Sequence, residues 1–531
     1  MSTTRDASVG PLERGLAVLR AMAPTGPVRP SDLARHTGLA RSTVDRVLAT
    51  LIRLGYVRES DRTVRLTPRL LELGNAYLTG SGIPDALEPL TARLAAEFDE
   101  SVSVAVPDGD PDGDGVRFVT QIIRRRTMSP VFRIGDLLPA ERCAPGALFA
   151  AGWSETDWAG WRRSALNGGP VVVPRDPGGE AAFRHRAAES ARGWAEDDQL
   201  IEPGLIAVAV PVTGQDGRPV CAVSVVSHTS RHSIGSLAEL VVPRLRAEAP
   251  CWPPERPLEP VPVDPPVSDP ALAAKNEIGA EFLQSLARGL AVLAALGGGA
   301  GGLTLTQVAE ATGLPRATAR RSLLTLVALG YAAQSGRRFA ARPKVLGLGY
   351  GRLSSMTFEE IVAPHLADLA ERIGESVSMA VLDGTQIRYV ARVPAYRIMS
   401  VDITVGTRLP AYATSMGRVL LAGLPPAVQA ELLTREPPRA FTPRSRTDLD
   451  VVLREVAADG FALVDEELEE GLRSLAVPVR DGAGRAVAAV NVATHAARGT
   501  PEGIRAALLP ALADTAAGIE ADLRGMRGPI F

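Results

Sequence analysis

The chain repeats itself, and this bounds its architecture more tightly than any single motif: whatever the unit folds into must be present twice. RGLAVLRA at residues 14–21 returns as RGLAVLAA at 288–295, and LARHTGLARSTVDRVLATLIRLGYV (33–57) returns as VAEATGLPRATARRSLLTLVALGYA (308–332). Further along, ESVSVAV (100–106) answers ESVSMAV (375–381), and IAVAVPV (206–212) answers RSLAVPV (473–479). The 531 residues are thus two copies of one unit of about 250 residues. Between them, nine prolines fall in the 21 residues from Pro250 to Pro270. Proline lacks an amide donor and fixes φ, so this stretch is expected to be an extended, semi-rigid spacer.

Charge divides each copy again. Residues 14–78 carry 11 arginines against five acids, and 288–353 carry eight arginines and Lys344 against Glu310 alone. Modules of +6 and +8 inside a chain of net −2 leave −16 for the remainder. Two basic modules joined to acidic ones are the electrostatic footprint of nucleic-acid binding. The 46% hydrophobic content supplies several cores. Cys143, Cys221 and Cys251 form no CxxC pair, which argues against a disulfide framework or a structural zinc. With no apolar run of 18 residues and no charged-then-apolar leader, the expectation is a cytoplasmic protein without a membrane partner.

The basic modules read as helix, tight turn, helix and wing. LARGLAVLAAL (286–296) has helical apolar spacing. GGGAGG (297–302) lacks the Gly-Lys-Ser/Thr ending of a phosphate loop and is expected to be a turn. Thr306 is placed to cap a helix over QVAEAT, Gly313 to end it, and Pro315 to open the next. That helix, RATARRSLLTLVALG, turns Leu323, Leu324 and Val327 inward and leaves Arg316, Thr318, Arg320 and Arg321 near its exposed N-terminal half. A strand pair around Ala332 and Phe339 places Arg337 and Arg338 at a wing tip. The first copy offers Arg41, Ser42, Thr43, Asp45 and Arg46, with Arg62 and Arg65 in its wing. The N-terminal residues of such a second helix reach base edges in the major groove, where the arginine fork matches guanine O6 and N7. The bland alternative is a winged helix used only for protein contacts.

In the acidic modules, alternation in SVSMAVLD (376–383) and QIRYVARV (386–393) predicts strands. TSMGRVLLAGL (414–424) predicts a helix, and residues 472–495 a hairpin turned at DGAGR. PRLLELGNAYL (68–78) and PKVLGLGYGRL (343–353) read as linker helices. Strands mixed with helices around an antiparallel sheet give an α+β sensor-like domain. The six histidines form no HExxH, and no serine sits in GxSxG, so no catalytic residue is assigned and the chain is not expected to be an enzyme. The run Asp465, Glu466, Glu467, Glu469, Glu470 reads as a solvated face rather than a metal site, and DGDPDG (108–113) as a hairpin loop, since Val119 stands where a calcium loop needs glutamate. No metal or cofactor is expected. Arg388, Arg392, Arg397 and Arg408 cluster in sequence, and a clefted arginine among them would suit a small carboxylate.

SLARGLAVL (285–293), ATGLPRATARRSLLTLVALGY (311–331), RIMSVDITVGTRLPAYATSMGRVLLA (397–422), ALVDEELEEGLRSLAVPVRD (462–481) and NVATHAAR (491–498) carry a resemblance. Over nearly the full chain both units resemble the IclR family of bacterial transcription regulators. The second is similar to the PcaR, PcaU and PobR branch that governs aromatic-acid catabolism. The resemblance implies a multidomain fold: a winged helix-turn-helix, mainly α, plus an α+β GAF-like effector domain, the pair present twice. The expected divisions are DNA-binding domains at 10–80 and 280–355, effector domains at 81–249 and 356–527, and a linker at 250–274. It implies a DNA operator and a small-molecule carboxylate effector such as protocatechuate, 4-hydroxybenzoate or β-ketoadipate, and it leaves a homodimer open. By motif the effector residues are Ser415, Met416, Asp465, Ser474, Asn491 and Ala493, with Arg408 a further candidate. The first unit departs from this pattern: its loop reads ERCAPG (141–146), Ala207 stands opposite Ser474, and Ser224 and Val226 stand opposite Asn491 and Ala493, while Asp198 is kept. The alternative is a metabolite sensor or enzyme that uses its winged helices only for assembly.

Overall fold

The computed structural model describes residues 9–108, 115–124, 132–167, 179–248, 282–395 and 403–526. The proline-rich stretch, most of the 108–113 loop and Arg397 lie outside these. Two compact units divide the chain, Met1–Ser355 and Met356–Phe531.

The first unit contains both winged helices. One comprises α1 (Gly10–Met22), α2 (Pro30–Thr37) and α3 (Arg41–Arg53), with strands β1 (Val57–Ser60) and β2 (Thr63–Leu66). Gly38, at φ 68, ends α2 in the left-handed conformation a helix-turn-helix needs. Two further helices, α4 (Leu71–Ser81) and α5 (Ile83–Phe98), lead into an α+β domain. Its strands are β3 (Ser101–Asp108), β4 (Gly115–Ile122), β5 (Leu137–Pro139), β6 (Ala195–Asp198), β7 (Leu205–Thr213) and β8 (Pro219–His228), with helices α6 (Ala144–Ala150), α7 (Glu155–Asn167), α8 (Glu180–Glu189) and α9 (Ile234–Glu248). They form one antiparallel sheet in the order β5-β4-β3-β8-β7-β6.

The second winged helix comprises α10 (Gln284–Ala295), α11 (Leu305–Thr312) and α12 (Arg316–Ala328), with strands β9 (Leu303–Thr304), β10 (Ala332–Ser335) and β11 (Arg338–Ala341). Three local expectations change here. The cap of α11 is Thr304 rather than Thr306: its hydroxyl accepts from the Gln307 amide, and the Gln307 side chain returns to the Thr304 amide. Pro315 sits one residue before the first helical position. The buried face of α12 is Ala319, Ser322, Leu323, Thr325 and Leu326, so Leu324 and Val327 stand at its margin. The linker segment also differs between copies. Residues 343–348 form a 3-10 turn, and Gly349 at φ 116 breaks it from the short helix α13 (Tyr350–Leu353).

The second unit repeats the α+β domain. Strands β12 (Ser376–Asp383), β13 (Gln386–Val393), β14 (Arg408–Pro410), β15 (Ala462–Asp465), β16 (Leu472–Arg480) and β17 (Ala486–His495) pair in the order β14-β13-β12-β17-β16-β15. Val377, Met379, Leu475, Val477, Val490 and Val492 pack one face against α14 (Phe358–Ile373) and α18 (Pro501–Leu523). Side chains alternate along a strand, so Ser474, Ala476, Asn491 and Ala493 turn to the other face. There they meet α15 (Ser415–Ala422) and α17 (Leu449–Asp459), with α16 (Pro426–Arg435) beyond.

Candidate nucleic-acid interface and effector cavity

The two winged helices pack on each other through a local dyad inside one chain. Gly15 of α1 and Gly289 of α10 are equivalent positions, and each lies against the other helix's leucine. A Cβ on Gly15 would stand 2.3 Å from Leu286 Cδ1, and one on Gly289 2.5 Å from Leu12 Cδ2. Glycine is required because the crossing leaves no room for a side chain. Two reciprocal hydrogen bonds flank it. The Val9 amide donates to Thr325 Oγ1 at 3.0 Å, and the Leu283 amide donates to Thr50 Oγ1 at 2.9 Å. Each hydroxyl donates onward to the carbonyl four residues earlier, Arg321 and Arg46, at 2.9 Å. The mount of each recognition helix is therefore bonded to the start of the other copy.

On α3, Arg41, Ser42, Asp45 and Arg46 are exposed and Thr43 half-buried; on α12, Arg316, Ala317, Arg320 and Arg321 are exposed and Thr318 half-buried. Arg41 and Asp45 pair at 3.1 Å. In the first wing, Arg62 is exposed at φ 64 beside Asp61 at φ 49. In the second wing, Arg337 is exposed in the turn, and Arg338 is tied back to the Gly302 carbonyl at 2.7 Å.

The second unit holds a cavity with about 40 Å³ open to water-sized bodies, between α15 and the strands β16 and β17. Thr414 caps α15 by accepting from the Gly417 amide at 3.0 Å. Gly417 packs so closely on the preceding turn that a Cβ would lie 2.0 Å from the Ala411 carbonyl oxygen. This brings Ser415 and Met416 to the sheet. Ser415 Oγ meets Ser474 Oγ at 2.6 Å, and Asn491 Nδ2 donates to Ser474 Oγ at 2.9 Å. At the end of this chain of bonds Asn491 Oδ1 is buried and has no hydrogen-bond partner among the described residues. Tyr389, Ile403, Leu468 and Leu472 supply apolar wall, and burial pushes the Tyr389 hydroxyl up to about 12, so it stays neutral.

Of the sequence candidates, Ser415, Met416, Ser474, Asn491 and Ala493 line this cavity together. Asp465 does not: it accepts from Arg473 Nε at 2.6 Å, because its strand position turns it to the opposite face from Val464. Arg408 is half-exposed and bound to Asp383, which also takes Arg388 at 3.3 Å. Arg392 donates to the Ile403 carbonyl at 2.6 Å. Among the described residues, therefore, no cation lines the cavity, and its polar groups are neutral.

Behind the cavity the acidic run is only in part a solvated face. Glu467 is buried and takes Arg418 bidentately at 2.8 and 2.7 Å, and it also accepts from the Arg446 amide at 2.7 Å. Arg418 Nε donates to the Tyr412 carbonyl at 2.8 Å. The pair locks the Glu466–Leu472 loop, and with it Leu468, to α15.

In the first unit the equivalent place is largely apolar, though Ser224, opposite Asn491, keeps a buried hydroxyl with no hydrogen-bond partner among the described residues. Cys143, Ala144, Ala207 and Val226 join one buried cluster with Phe118, Phe132, Trp158, Trp161 and Phe183. Phe118 and Phe132 stack at 5.0 Å. Ala147 and Leu200 stand where Arg418 and Glu467 form their pair.

Comparison with known proteins decides the class. The IclR helix-turn-helix domain model matches residues 11–61 and 285–336, and the model of the C-terminal domain of IclR bacterial transcriptional regulators matches 351–521. The Pca regulon regulatory protein of Pseudomonas putida is 42% identical over 264 residues, covering 49% of this chain and 91% of that protein. The chain belongs to the IclR family of bacterial transcriptional regulators. Another IclR relative, the p-hydroxybenzoate hydroxylase transcriptional activator of Acinetobacter baylyi, is 35% identical over 244 residues, covering 44% of this chain and 90% of its own. A solved regulator structure from Rhodococcus sp. RHA1 is 50% identical, covers 46% of this chain and 98% of its own, and has a TM-score of 0.40. The IclR family comprises transcriptional regulators, and the chain is accordingly no enzyme.

Sequence reasoning missed three parts of this IclR architecture. Thr50 and Thr325 read as ordinary helix positions. Arg418 carried a signal in its motif, as the one charge on an otherwise apolar helix. Glu467 was hidden in an acidic run in which Asp465 and Glu466 are half-buried in arginine pairs and Glu469 and Glu470 are exposed.

Proposed function

We propose that this IclR-type regulator binds an operator through Arg41, Ser42, Thr43, Arg46 and Arg62 of one winged helix and Arg316, Thr318, Arg320, Arg321, Arg337 and Arg338 of the other. Binding is modulated by a small carboxylate held between Ser415, Ser474 and Asn491. The observation that carries the effector reading is the unpartnered Asn491 Oδ1. A buried acceptor without a donor costs roughly 1–3 kcal/mol, and a ligand hydroxyl would recover that. The Ser415 hydroxyl and the N-terminal amides of α15 are donors suited to a carboxylate. An acid that also bears a hydroxyl satisfies both ends, which favours a hydroxybenzoate-type acid over β-ketoadipate. The name of the Acinetobacter relative, a p-hydroxybenzoate hydroxylase transcriptional activator, points to the same chemistry. Seating a ring requires Met416 and Leu468 to move aside, and methionine's three rotatable bonds allow it.

Gel-shift titration on the chain's own upstream DNA, at two salt concentrations, tests this. Protocatechuate and 4-hydroxybenzoate are added in turn, with benzoate as the hydroxyl-free control. The expected result is salt-sensitive binding shifted by a hydroxy acid more than by benzoate, with the shift lost in Ser474→Val and Asn491→Leu. Binding indifferent to every acid discards the effector assignment. Absence of binding that weakens log-linearly with salt would turn the reading to a metabolite sensor that does not use DNA.

A further inference from the structure

We propose that a single copy of this chain reads a non-palindromic operator, each half-site being taken by a different winged helix of the same chain. The proposal rests on the DNA-binding role above and goes further by naming the kind of DNA. Its basis is the internal dyad. Gly15 with Leu286, Gly289 with Leu12, the Val9–Thr325 bond and the Leu283–Thr50 bond are the same contacts made twice in opposite directions. A pair of helix-turn-helix modules related in this way engages two half-sites, and the operator's symmetry mirrors that of the protein. Here the dyad is covalently broken. Tethering both modules in one unit makes their pairing intramolecular and independent of protein concentration.

The two reading faces are equivalent in placement and unequal in chemistry. Arg41, Thr43 and Arg46 correspond to Arg316, Thr318 and Arg321, with the same exposure. The unlike positions are Ser42 against Ala317 and Asp45 against Arg320, and all four side chains are exposed. Asp45 accepts from Arg41 at 3.1 Å, so the first helix presents an Arg–carboxylate pair. A carboxylate accepts from cytosine N4 and is repelled by phosphate, whereas Arg320 adds a fork for guanine or a phosphate contact. The wings differ too: Asp61 stands beside Arg62 in one turn, and Gly336 beside Arg337 in the other. A palindrome would force one of the two helices onto the wrong half-site, at roughly a tenfold loss per mismatched base pair. Two unlike halves also fix which way round the chain lies on a promoter.

The test is selection of the full chain on randomised duplex DNA, for the wild type and for the double substitution Ser42→Ala, Asp45→Arg. Both sites are exposed, and an unchanged melting temperature confirms folding. The wild-type motif is expected to have two unlike halves about one helical turn apart. At the base pairs read by α3 the variant's first half should converge on the second, so that its best site moves toward an inverted repeat. Its affinity for the wild-type site should fall by about tenfold or more. A palindromic wild-type motif, a motif with one half only, or a variant that changes both halves together would overturn the proposal. Enrichment of no sequence would sink the DNA-binding reading itself, whereas a palindrome would leave that reading standing and remove only this one.

Discussion

The Arg418–Glu467 pair sits behind the cavity lined by Ser415, Ser474 and Asn491, and the molecule contains its own control for what it contributes. Both side chains are nearly inaccessible, at 3% and 8% exposure. Removing one member leaves a buried charge uncompensated, which costs about 3–5 kcal/mol. The Met356–Phe531 unit should therefore lose roughly 6–20 °C of melting temperature in Arg418→Met or Glu467→Leu. The double substitution moves this unit toward the first copy, which has Ala147 and Leu200 at these positions. No buried charge then remains. The Tyr412 carbonyl and the Arg446 amide lose their partners, at about 1–3 kcal/mol each, and each single variant already loses one of these two bonds on top of the uncompensated charge. The double variant should thus be more stable than either single one, by about 2 kcal/mol. Calorimetry measures this. All five tryptophans lie at or before Trp252, so an unchanged tryptophan-detected transition shows that the first unit is untouched. Additive losses in the double variant would refute the reasoning, because they would mean that the residues act separately and not as a pair.

Asp197 should make the first unit's stability depend on pH. Burial pushes its carboxyl up to about 7, against about 3.9 in an unfolded chain. The native state holds a proton that the unfolded state has released, so stability falls as pH rises from about 4 to about 7 and is level above. Asp197→Asn, which keeps an acceptor for the Leu200 amide at 2.8 Å, should stabilise the unit by up to about 4 kcal/mol at pH 8 and leave it unchanged at pH 4. A denaturant series across that range would show the two curves converging, and parallel curves would sink the idea. Gly15→Val places atoms inside Leu286 and should cost about 1–3 kcal/mol while weakening operator binding, read by melting and gel shift together. Arg320→Ala with Arg321→Ala should abolish specific footprints and flatten the salt slope by about one for each phosphate these arginines neutralise. Retained footprints would remove α12 from the interface.

Much of this protein is determined by sequence alone. Duplication, the winged-helix register and the strands of the second sensor domain follow from local periodicity and from glycine and proline chemistry, which need no partner. Period-2 alternation likewise puts Ser474, Asn491 and Ala493 on one face, because a strand has only two. What lies across from that face is not local. Whether an arginine or a carboxylate enters the cavity depends on which acid it meets first: Arg408 goes to Asp383, Arg392 to a carbonyl and Asp465 to Arg473, leaving neutral hydroxyls and an amide. The capping threonine of α11 was decided by a side-chain exchange with Gln307 that spacing leaves ambiguous. The pairing of the winged helices required the tertiary structure as well. A glycine at a crossing and a threonine that accepts from a distant amide acquire meaning only when the two copies, some 275 residues apart, are brought together.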